Sequence, residues 1–409
     1  MTFPTANLLT VYLEQAERRK VGRLALYKRQ ILFEYDPDFL NQGIQLSPFH
    51  LPLQPNIVSC ADRIFDGLYG VFNDSLPDGW GRLLIDRAVE RHGMSRHELN
   101  VLDRLAYVGR RGMGALTYEP DRGIGEVANN TPLKLHQLAA ESVRLLTGDT
   151  YEVFDQLLSL NGSSGGARPK IVAQVSSDKR KIIHGGSQLE PGYSHWIVKF
   201  SSSQDAPDAG CIEYAYGQMA RAAGVEMAET HLFGSKKKAY FGTQRFDRQH
   251  NRRVHVHTIA GLLHSDHRYP SLDYDDILRA VAILTKNAIE VQKAFTLACF
   301  NVLAYNRDDH SKNFSLLLKE DNAWAFAPAY DLTFSYGPGG EQSTMVLGEG
   351  RAPGPTHLLN LAKKHGIRQA KRILDQVQSA VARWKEFASE AGVSAKSTNE
   401  IAKRLQSIQ

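Results

Sequence analysis

Asp308 and Asn313 are the residues from which a reaction can first be read. They stand five positions apart in Asn306-Arg-Asp-Asp-His-Ser-Lys-Asn313. At that spacing a phosphoryl-transfer loop offers a carboxylate to orient the attacking hydroxyl and an amide that turns back to a metal. A second metal-binding carboxylate should follow on a short strand. Asp331, in Ala329-Tyr-Asp-Leu-Thr333, supplies it, because the apolar runs Phe314–Leu318 and Ala323–Ala327 predict a hairpin that delivers it beside the loop. Turns collect Asp, Asn and Ser on their own account, so a plain polar turn between helix and strand has the same composition as the loop alone. The Asp beyond the hairpin favours the chemistry. Asp309 rivals Asp308 as the base, but Asp308 follows Arg307 as in the kinase Arg-Asp pair, and only Asp308 lies five before Asn313.

Phosphate needs a cradle. Asn161-Gly-Ser-Ser-Gly-Gly-Ala-Arg-Pro-Lys170 runs into a β-like segment, Ile171–Val175. Its small residues let backbone N–H groups close on phosphate, and Arg168 and Lys170 add positive charge. The spelling is neither Gly-x-Gly-x-x-Gly nor a Walker loop, and a ligand-free hairpin has the same composition. In the strand His195–Phe200, Lys199 sits among apolar residues, where an ammonium needs an anionic partner. A helix beginning near Asp208 carries Glu213 in its first turns, and a strand Lys paired with a helix Glu positions nucleotide phosphates in kinases. The strand Ala239–Gln244 leads into Arg245-Phe-Asp-Arg248. Backbone leaving it can meet a purine edge with Phe246 alongside, while Arg245 and Asp247 can equally form a structural ion pair.

The remaining elements must position these groups. Leu8–Leu13, Val21–Tyr27 and Ile31–Tyr35 read as an antiparallel meander. Ser75-Leu-Pro-Asp-Gly-Trp-Gly-Arg82 precedes a helix over Leu83–Arg91, and a second helix is predicted over Glu98–Val108. Gly109–Gly114 is a basic turn without the Lys-Ser or Lys-Thr ending of a P-loop, and Ala115–Tyr118 a closing strand. A helical linker covers Leu133–Leu146 and Val153–Leu160. Helices over Leu278–Leu284, Ala288–Tyr305, Thr356–Lys364, Gln369–Ala388 and Thr398–Gln406 make the last part mainly α. His255 and His257 alternate on a strand and could ligate a metal with His264, Asp266 or His267; a histidine-rich loop near the cleft is the simpler reading.

Composition sets limits. With 409 residues the chain needs two or three packed lobes. A net charge of +5 is mild and argues neither for nor against nucleic acid. Cys60, Cys211 and Cys299 lack metal-ligand spacing and suit a reducing compartment. No window approaches a membrane span, so a cytoplasmic protein with no membrane contact is expected.

Ser163 to Lys170, Lys199, Glu213, Arg245 to Arg248, Asn306 to Asn313 and Ala329 to Thr333, with Ser75 to Arg82 upstream, resemble in order and spacing the HipA family of bacterial Ser/Thr kinases, over nearly the whole chain. The resemblance implies an α+β, two-lobed, protein-kinase-like fold. An N-terminal α/β subdomain would occupy 1–130, a lobe with phosphate loop and hinge 131–250, and a mainly α-helical lobe with the catalytic loop 251–409. Asp308 would be the catalytic base, Asn313 and Asp331 the magnesium ligands, and Glu213 the ion-pair partner of Lys199. ATP would contact Ser164, Gly165, Gly166, Ala167, Arg168, Lys170, Lys199, Gln244, Arg245, Phe246, His310, Lys312, Asn313, Tyr330 and Asp331, and Ser163 would be autophosphorylated. Family members are toxins of type II toxin–antitoxin pairs. This implies ATP and Mg2+ as cofactors, a HipB-like DNA-binding antitoxin through which alone the chain would meet DNA, and a protein substrate such as an aminoacyl-tRNA synthetase, whose phosphorylation halts translation and growth. Two positions depart from the family's pattern: Arg168 stands where Gln is usual, and Gln244 where Glu often precedes Arg-Phe-Asp. The main alternative is a kinase-like scaffold that tunes a DNA-bound antitoxin and transfers little phosphate, and a third is a small-molecule kinase.

Overall fold

The structure, a computed structural model, describes residues 5–91, 93–123, 131–147, 154–160, 166, 168–186, 188–202, 205–235 and 238–407. Alternating burial along Leu8–Glu14 (β1), Arg18–Tyr27 (β2) and Gln30–Tyr35 (β3) builds the expected antiparallel meander. Val58–Ser59 (β4) and Leu116–Glu119 (β5) complete a sheet of order β4-β3-β2-β1-β5. Four helices lie between these strands: Pro37–Gln42 (α1), Gly70–Asn73 (α2), Gly79–Arg91 (α3) and Val101–Val108 (α4). The single helix expected over Glu98–Val108 is instead a short 3-10 turn, Arg96–Glu98, followed by α4. Asn100 causes the break. Its side chain accepts from the N–H groups of Leu102 and Asp103 while Asp103 reaches back to the Asn100 N–H, a capping box that starts a new helix.

Leu135–Thr147 (α5) and Phe154–Ser159 (α6) lead into a second sheet of order β7-β6-β8-β10-β9. Its strands are Lys170–Ser176 (β6), Ile182–His184 (β7), Tyr193–Lys199 (β8), Thr230–Ser235 (β9) and Lys238–Gln244 (β10), with Ala209–Ala222 (α7) crossing between β8 and β9. Every residue of β6 is buried. Trp80, Leu84 and Val89 of α3 share one apolar cluster with Leu138, Phe154, Leu157, Ile171, Trp196 and Phe200. The helices read as a linker therefore pack α3 against the second sheet. That packing brings Asp78, at the head of α3, to the loop before β6.

The last part begins with a small ribbon, Arg248–Gln249 (β11) and Arg252–Arg253 (β12). After it come His255–Thr258 (β13), Ile259–Leu263 (α8), Leu272–Asp273 (β14), Tyr274–Thr285 (α9) and Ala288–Leu303 (α10). Ser315–Leu318 (β15) and Trp324–Phe326 (β16) form the predicted hairpin and pair with β13, and Thr344–Met345 (β17) runs parallel to β14. Four helices finish the chain: Pro355–Lys364 (α11), Ala370–Ala382 (α12), Trp384–Ala391 (α13) and Ala395–Leu405 (α14). The one helix expected over Gln369–Ala388 breaks at Arg383, which leaves the helical region at ψ 13°. Trp384 starts α13 there, buried to 2% exposure, with its indole N–H donated to the Thr398 carbonyl. One apolar cluster joins Leu9, Val11 and Phe33 of the first sheet to Phe295, Phe300 and Leu361 of the helical part. The architecture is α+β. Among the described residues no helix is long and apolar enough to cross a membrane.

Candidate active site

Helix α10 ends in a loop fixed by its own polar groups. Asn306 donates its N–H to the Asn301 carbonyl and its Nδ2 to Asn301 Oδ1, both at 2.9 Å. Asp308 and Asp309 then separate in role. The Asp308 carboxylate meets solvent in a cleft whose walls raise it above the ordinary range, with His310 opposing and Asp331 adding to the shift. Asp309 is fully buried and accepts from Tyr274 Oη at 2.5 Å, Gln342 Nε2 at 3.0 Å and the Ser343 and Thr344 N–H groups at 3.0 and 3.2 Å. It is a structural hub, whereas Asp308 is exposed and lines the cleft. Asn313 Nδ2 donates to the Asp308 carbonyl at 2.8 Å, which leaves Asn313 Oδ1 for other use.

The hairpin carries Ala329–Asp331 into the same cleft. Ala329 N–H donates to the Glu226 carbonyl at 2.7 Å, and Tyr330 donates its hydroxyl to the Lys312 carbonyl while accepting from Ser315 Oγ, both at 2.6 Å. Asp331 has φ +57°, a left-handed conformation uncommon outside glycine and concentrated at functional sites. Lys199 Nζ bridges Asp331 and Glu213, the latter at 2.5 Å. Burial works against its charge, but Asp331 and then Glu213 outweigh it and hold the ammonium above its ordinary range. Burial also pushes Asp331 up, yet Lys199 and Lys170 pull it well below the usual carboxylate range. In Glu213 burial wins and raises the carboxyl against the pull of Lys199.

The loop before β6 faces this triad. Gly166 has φ +100°, a backbone conformation that residues with a side chain rarely adopt, and it sits beside the Lys170 ammonium. Lys170 is 4% exposed, and burial brings it down to about 8, with Asp331 opposing. Arg168 pairs with Asp205 at 2.9 Å. At the hinge, the N–H groups of Gln244 and Arg245 are already given to the Glu229 and His195 carbonyls, both at 2.8 Å. A base would therefore draw on Phe246 or on carbonyl oxygens. The Phe246 ring lies 5.5 Å from that of Tyr330. The ion-pair alternative for Arg245 and Asp247 is present as well: Arg245 binds Asp247 through Nε at 2.9 Å and Nη2 at 2.8 Å, Arg248 adds a contact at 2.7 Å, and Gly114 N–H a further one at 2.8 Å. The Gly109–Gly114 turn is thus tied to a buried ion pair.

One cleft of about 510 Å³ is lined by Gly166, Arg168, Lys170, Lys199, Gln244, Arg245, Phe246, Asp308, His310, Lys312, Asn313, Tyr330 and Asp331. Glu213 stands behind Lys199. Ser163, Ser164, Gly165 and Ala167 lie outside the described residues. Sequence reasoning singled out the Pro-Asp-Gly-Trp tract without assigning it a contact; Asp78 from that tract lines the cleft and binds Lys312 at 2.6 Å. His255 and His257 are buried hydrogen-bonding groups, His255 against the Leu46 carbonyl and His257 between Asp74 and Ser47. Cys60, Asp62 and His264 bring ligand atoms within 4.8 Å of one another. Gly70 N–H donates to His264 Nε2, so the ring proton sits on Nδ1 facing Asp62 at 2.6 Å. That is a hydrogen bond from a neutral imidazole to a carboxylate, with the nitrogen a metal would need already protonated.

A family model described as the HipA-like C-terminal domain matches residues 162–384, and one described as the HipA N-terminal domain matches residues 9–119. Among curated proteins, "Putative kinase Y4dM" of Sinorhizobium fredii is 28% identical over 211 residues, 46% of this chain and 50% of that protein. The match thus spans about half the length of that relative. Among solved structures, the Shewanella oneidensis MR-1 HipA, in a complex with HipB and its operator DNA, superposes with a TM-score of 0.66 at 18% identity. It covers 98% of this chain and 95% of that one, and the likeness is one of fold.

Proposed function

This chain belongs to the HipA family, and from that premise we propose that it is an ATP- and magnesium-dependent protein Ser/Thr kinase, the toxin of a toxin–antitoxin pair. The observation that carries the reading is the convergence of Asp308, Asn313, Asp331 and Lys199, from three separate segments, on one cleft. Asn313 Oδ1 and the Asp331 carboxylate are oxygen donors of the kind a hard divalent cation takes. Magnesium, when bound, would neutralise charge on the nucleotide phosphates. Lys199 and Lys170 add positive charge beside it, Glu213 holds Lys199 in place, and Phe246 flanks the base. Asp308 orients the substrate hydroxyl and accepts its proton on a carboxylate oxygen. Its raised affinity for protons suits that task better than an ordinary surface carboxylate would.

The fold likeness to a HipA found with HipB and operator DNA supports a HipB-like antitoxin as partner, with DNA reached through it. The acceptor is a protein such as an aminoacyl-tRNA synthetase, and Ser163 a site of autophosphorylation. A phosphoserine there would add close to two negative charges next to a site built for anions, and so oppose ATP.

The test compares wild type with Asp308→Ala, incubated with ATP and magnesium, with transfer and bound nucleotide measured separately. Asp308→Ala should keep nucleotide affinity and lose phosphoryl transfer by a factor on the order of a hundred or more. Asp331→Ala should lose magnesium-dependent nucleotide binding as well. Undiminished transfer in Asp308→Ala would sink the assignment. Mass spectrometry of the Asn161–Lys170 peptide from active enzyme decides the Ser163 site, and induced expression without an antitoxin should arrest growth in wild type but not in Asn313→Ala. Arrest that persists in the Asn313 variant would favour the scaffold reading.

A further inference from the structure

Asp78 belongs to neither loop of the cleft, yet it holds both. Its carbonyl accepts from Arg82 N–H at 2.8 Å, which opens α3. Its side chain turns into the cleft, where Oδ1 accepts from Lys312 Nζ at 2.6 Å and Oδ2 from Gly166 N–H at 3.4 Å. Lys312 lies in the catalytic loop, 234 residues away, and Gly166 in the phosphate-side loop, 88 residues away. Trp80 grips the second loop again. Its N–H donates to the Gly166 carbonyl at 3.3 Å and its indole N–H to the Lys170 carbonyl at 3.0 Å. With Trp80 only 1% exposed and packed in the cluster of Leu84, Phe154 and Ile171, the indole cannot turn without opening that core.

We propose that Asp78 is a positioning residue for phosphoryl transfer: one carboxylate from the head of α3 sets the spacing between the catalytic loop and the phosphate-side loop. The inference rests on the kinase reading of the cleft. The 2.6 Å bond to the Lys312 ammonium is charge-assisted and stronger than a neutral one, and the 3.4 Å contact with the Gly166 N–H is a longer, weaker tether. Burial alone would raise the Asp78 carboxyl, but Lys312 holds it below its ordinary range, so the charged form is the one in place. Without that charge Lys312 loses its partner and is drawn to other anions in the cleft, a bound phosphate or Asp308 among them. Gly166 loses an anchor in the same step. A misplacement of about 1 Å between reacting groups costs about a hundredfold in rate.

The test uses the full chain and the variants Asp78→Asn, which removes charge at nearly constant shape, Asp78→Glu, which restores charge, and Lys312→Met. Wild type and Asp308→Ala serve as controls. Asp78→Asn should lower kcat about ten- to a hundredfold, change KM for ATP less than about threefold and leave the melting temperature near wild type. Asp78→Glu should recover part of the loss. Asp78→Asn combined with Lys312→Met should be no slower than the slower single variant, because both remove one contact. Hydrogen exchange gives a readout that needs no activity: peptides spanning 166–176 should exchange faster in Asp78→Asn while those of α10 stay unchanged. Wild-type kcat in Asp78→Asn, additive losses in the double variant, a drop in melting temperature with kcat intact, or unchanged exchange at 166–176 would each overturn this inference while the kinase reading stands. A wild-type chain that transfers no phosphate would instead overturn the kinase reading, and the positioning role with it.

Discussion

Asp331 lines the cleft and Asp309 lies buried behind the Asp308 loop, and their surroundings drive the two carboxylates in opposite directions. Around Asp309 stand neutral donors: a tyrosine hydroxyl, a glutamine amide and two backbone N–H groups. They do not offset its burial, and the carboxyl is pushed up to about 7. Around Asp331 stand Lys199 and Lys170, and the carboxyl is held well below its ordinary range. Neutral donors fix geometry and tolerate protonation; cations fix charge. The loop of Asp308 and Asn313 is therefore shaped by the fold's own hydrogen bonds. The phosphate side carries a shared set of charges that an incoming anion would redistribute.

The largest effect that can break this comparison is on stability. A group whose folded pKa is raised contributes stability that is complete below its unfolded pKa and is lost as pH rises through the folded value. For Asp309 the window runs from 3.8 to about 7, worth on the order of 4 kcal/mol if the whole shift is realised. Urea unfolding of wild type from pH 4 to 8 should therefore show a loss that Asp309→Asn does not share. Identical pH profiles would mean that Asp309 stays ionised in the fold, and the contrast with Asp331 would collapse.

A smaller effect sharpens the other side. Lys170, brought down to about 8 by burial, offers full charge to an anion only below that pH. Nucleotide affinity should then fall as pH rises past 8, by at most roughly tenfold per unit, with proton uptake on binding. Lys170→Arg should abolish the dependence, since a guanidinium does not titrate there. Calorimetry in buffers of different ionisation enthalpy measures that uptake directly. Affinity independent of pH between 7 and 9.5 would show that Lys170 is not a phosphate contact.

What could be read in the sequence was what is local in it. Asp308, Asn313 and Asp331 were legible because a short loop and a hairpin fix their relation, and the strand of Lys199 because alternation marks it. The contact of Asp78 with Lys312 was not, since 234 residues separate the partners and tertiary packing, with Trp80 seated beside β6, sets where Asp78 lies. The breaks at Asn100 and Arg383 were missed for two reasons. A side-chain cap can restart a helix inside a helical pattern, as Asn100 does. A buried Trp anchored to the Thr398 carbonyl depends on tertiary contact that periodicity does not carry. The loop holding Ser163, Ser164, Gly165 and Ala167 lies outside the described residues, so its part in the cleft rests on Gly166, Arg168 and Lys170.

The smallest expected effect lies at the hinge, where neither neutral donors nor cations dominate. Gln244 departs from the Glu common in the family, and it lines the cleft. Its N–H is already given to the Glu229 carbonyl, and the neighbouring Arg245 guanidinium is already paired with Asp247 through Nε and Nη2. A carboxylate introduced at 244 would find no free cation in Arg245 and would alter no backbone group that faces a base. Gln244→Glu should therefore change the Kd for ATP by less than about threefold, under about 1 kcal/mol. Phe246→Ala, which removes a ring packed toward Tyr330, should cost more, about 0.5–1.5 kcal/mol beyond the area lost. Fluorescence titration of both variants sets the order. A loss beyond tenfold in Gln244→Glu, with Phe246→Ala near wild type, would move base recognition from the backbone and the aromatic wall to the Gln244 side chain.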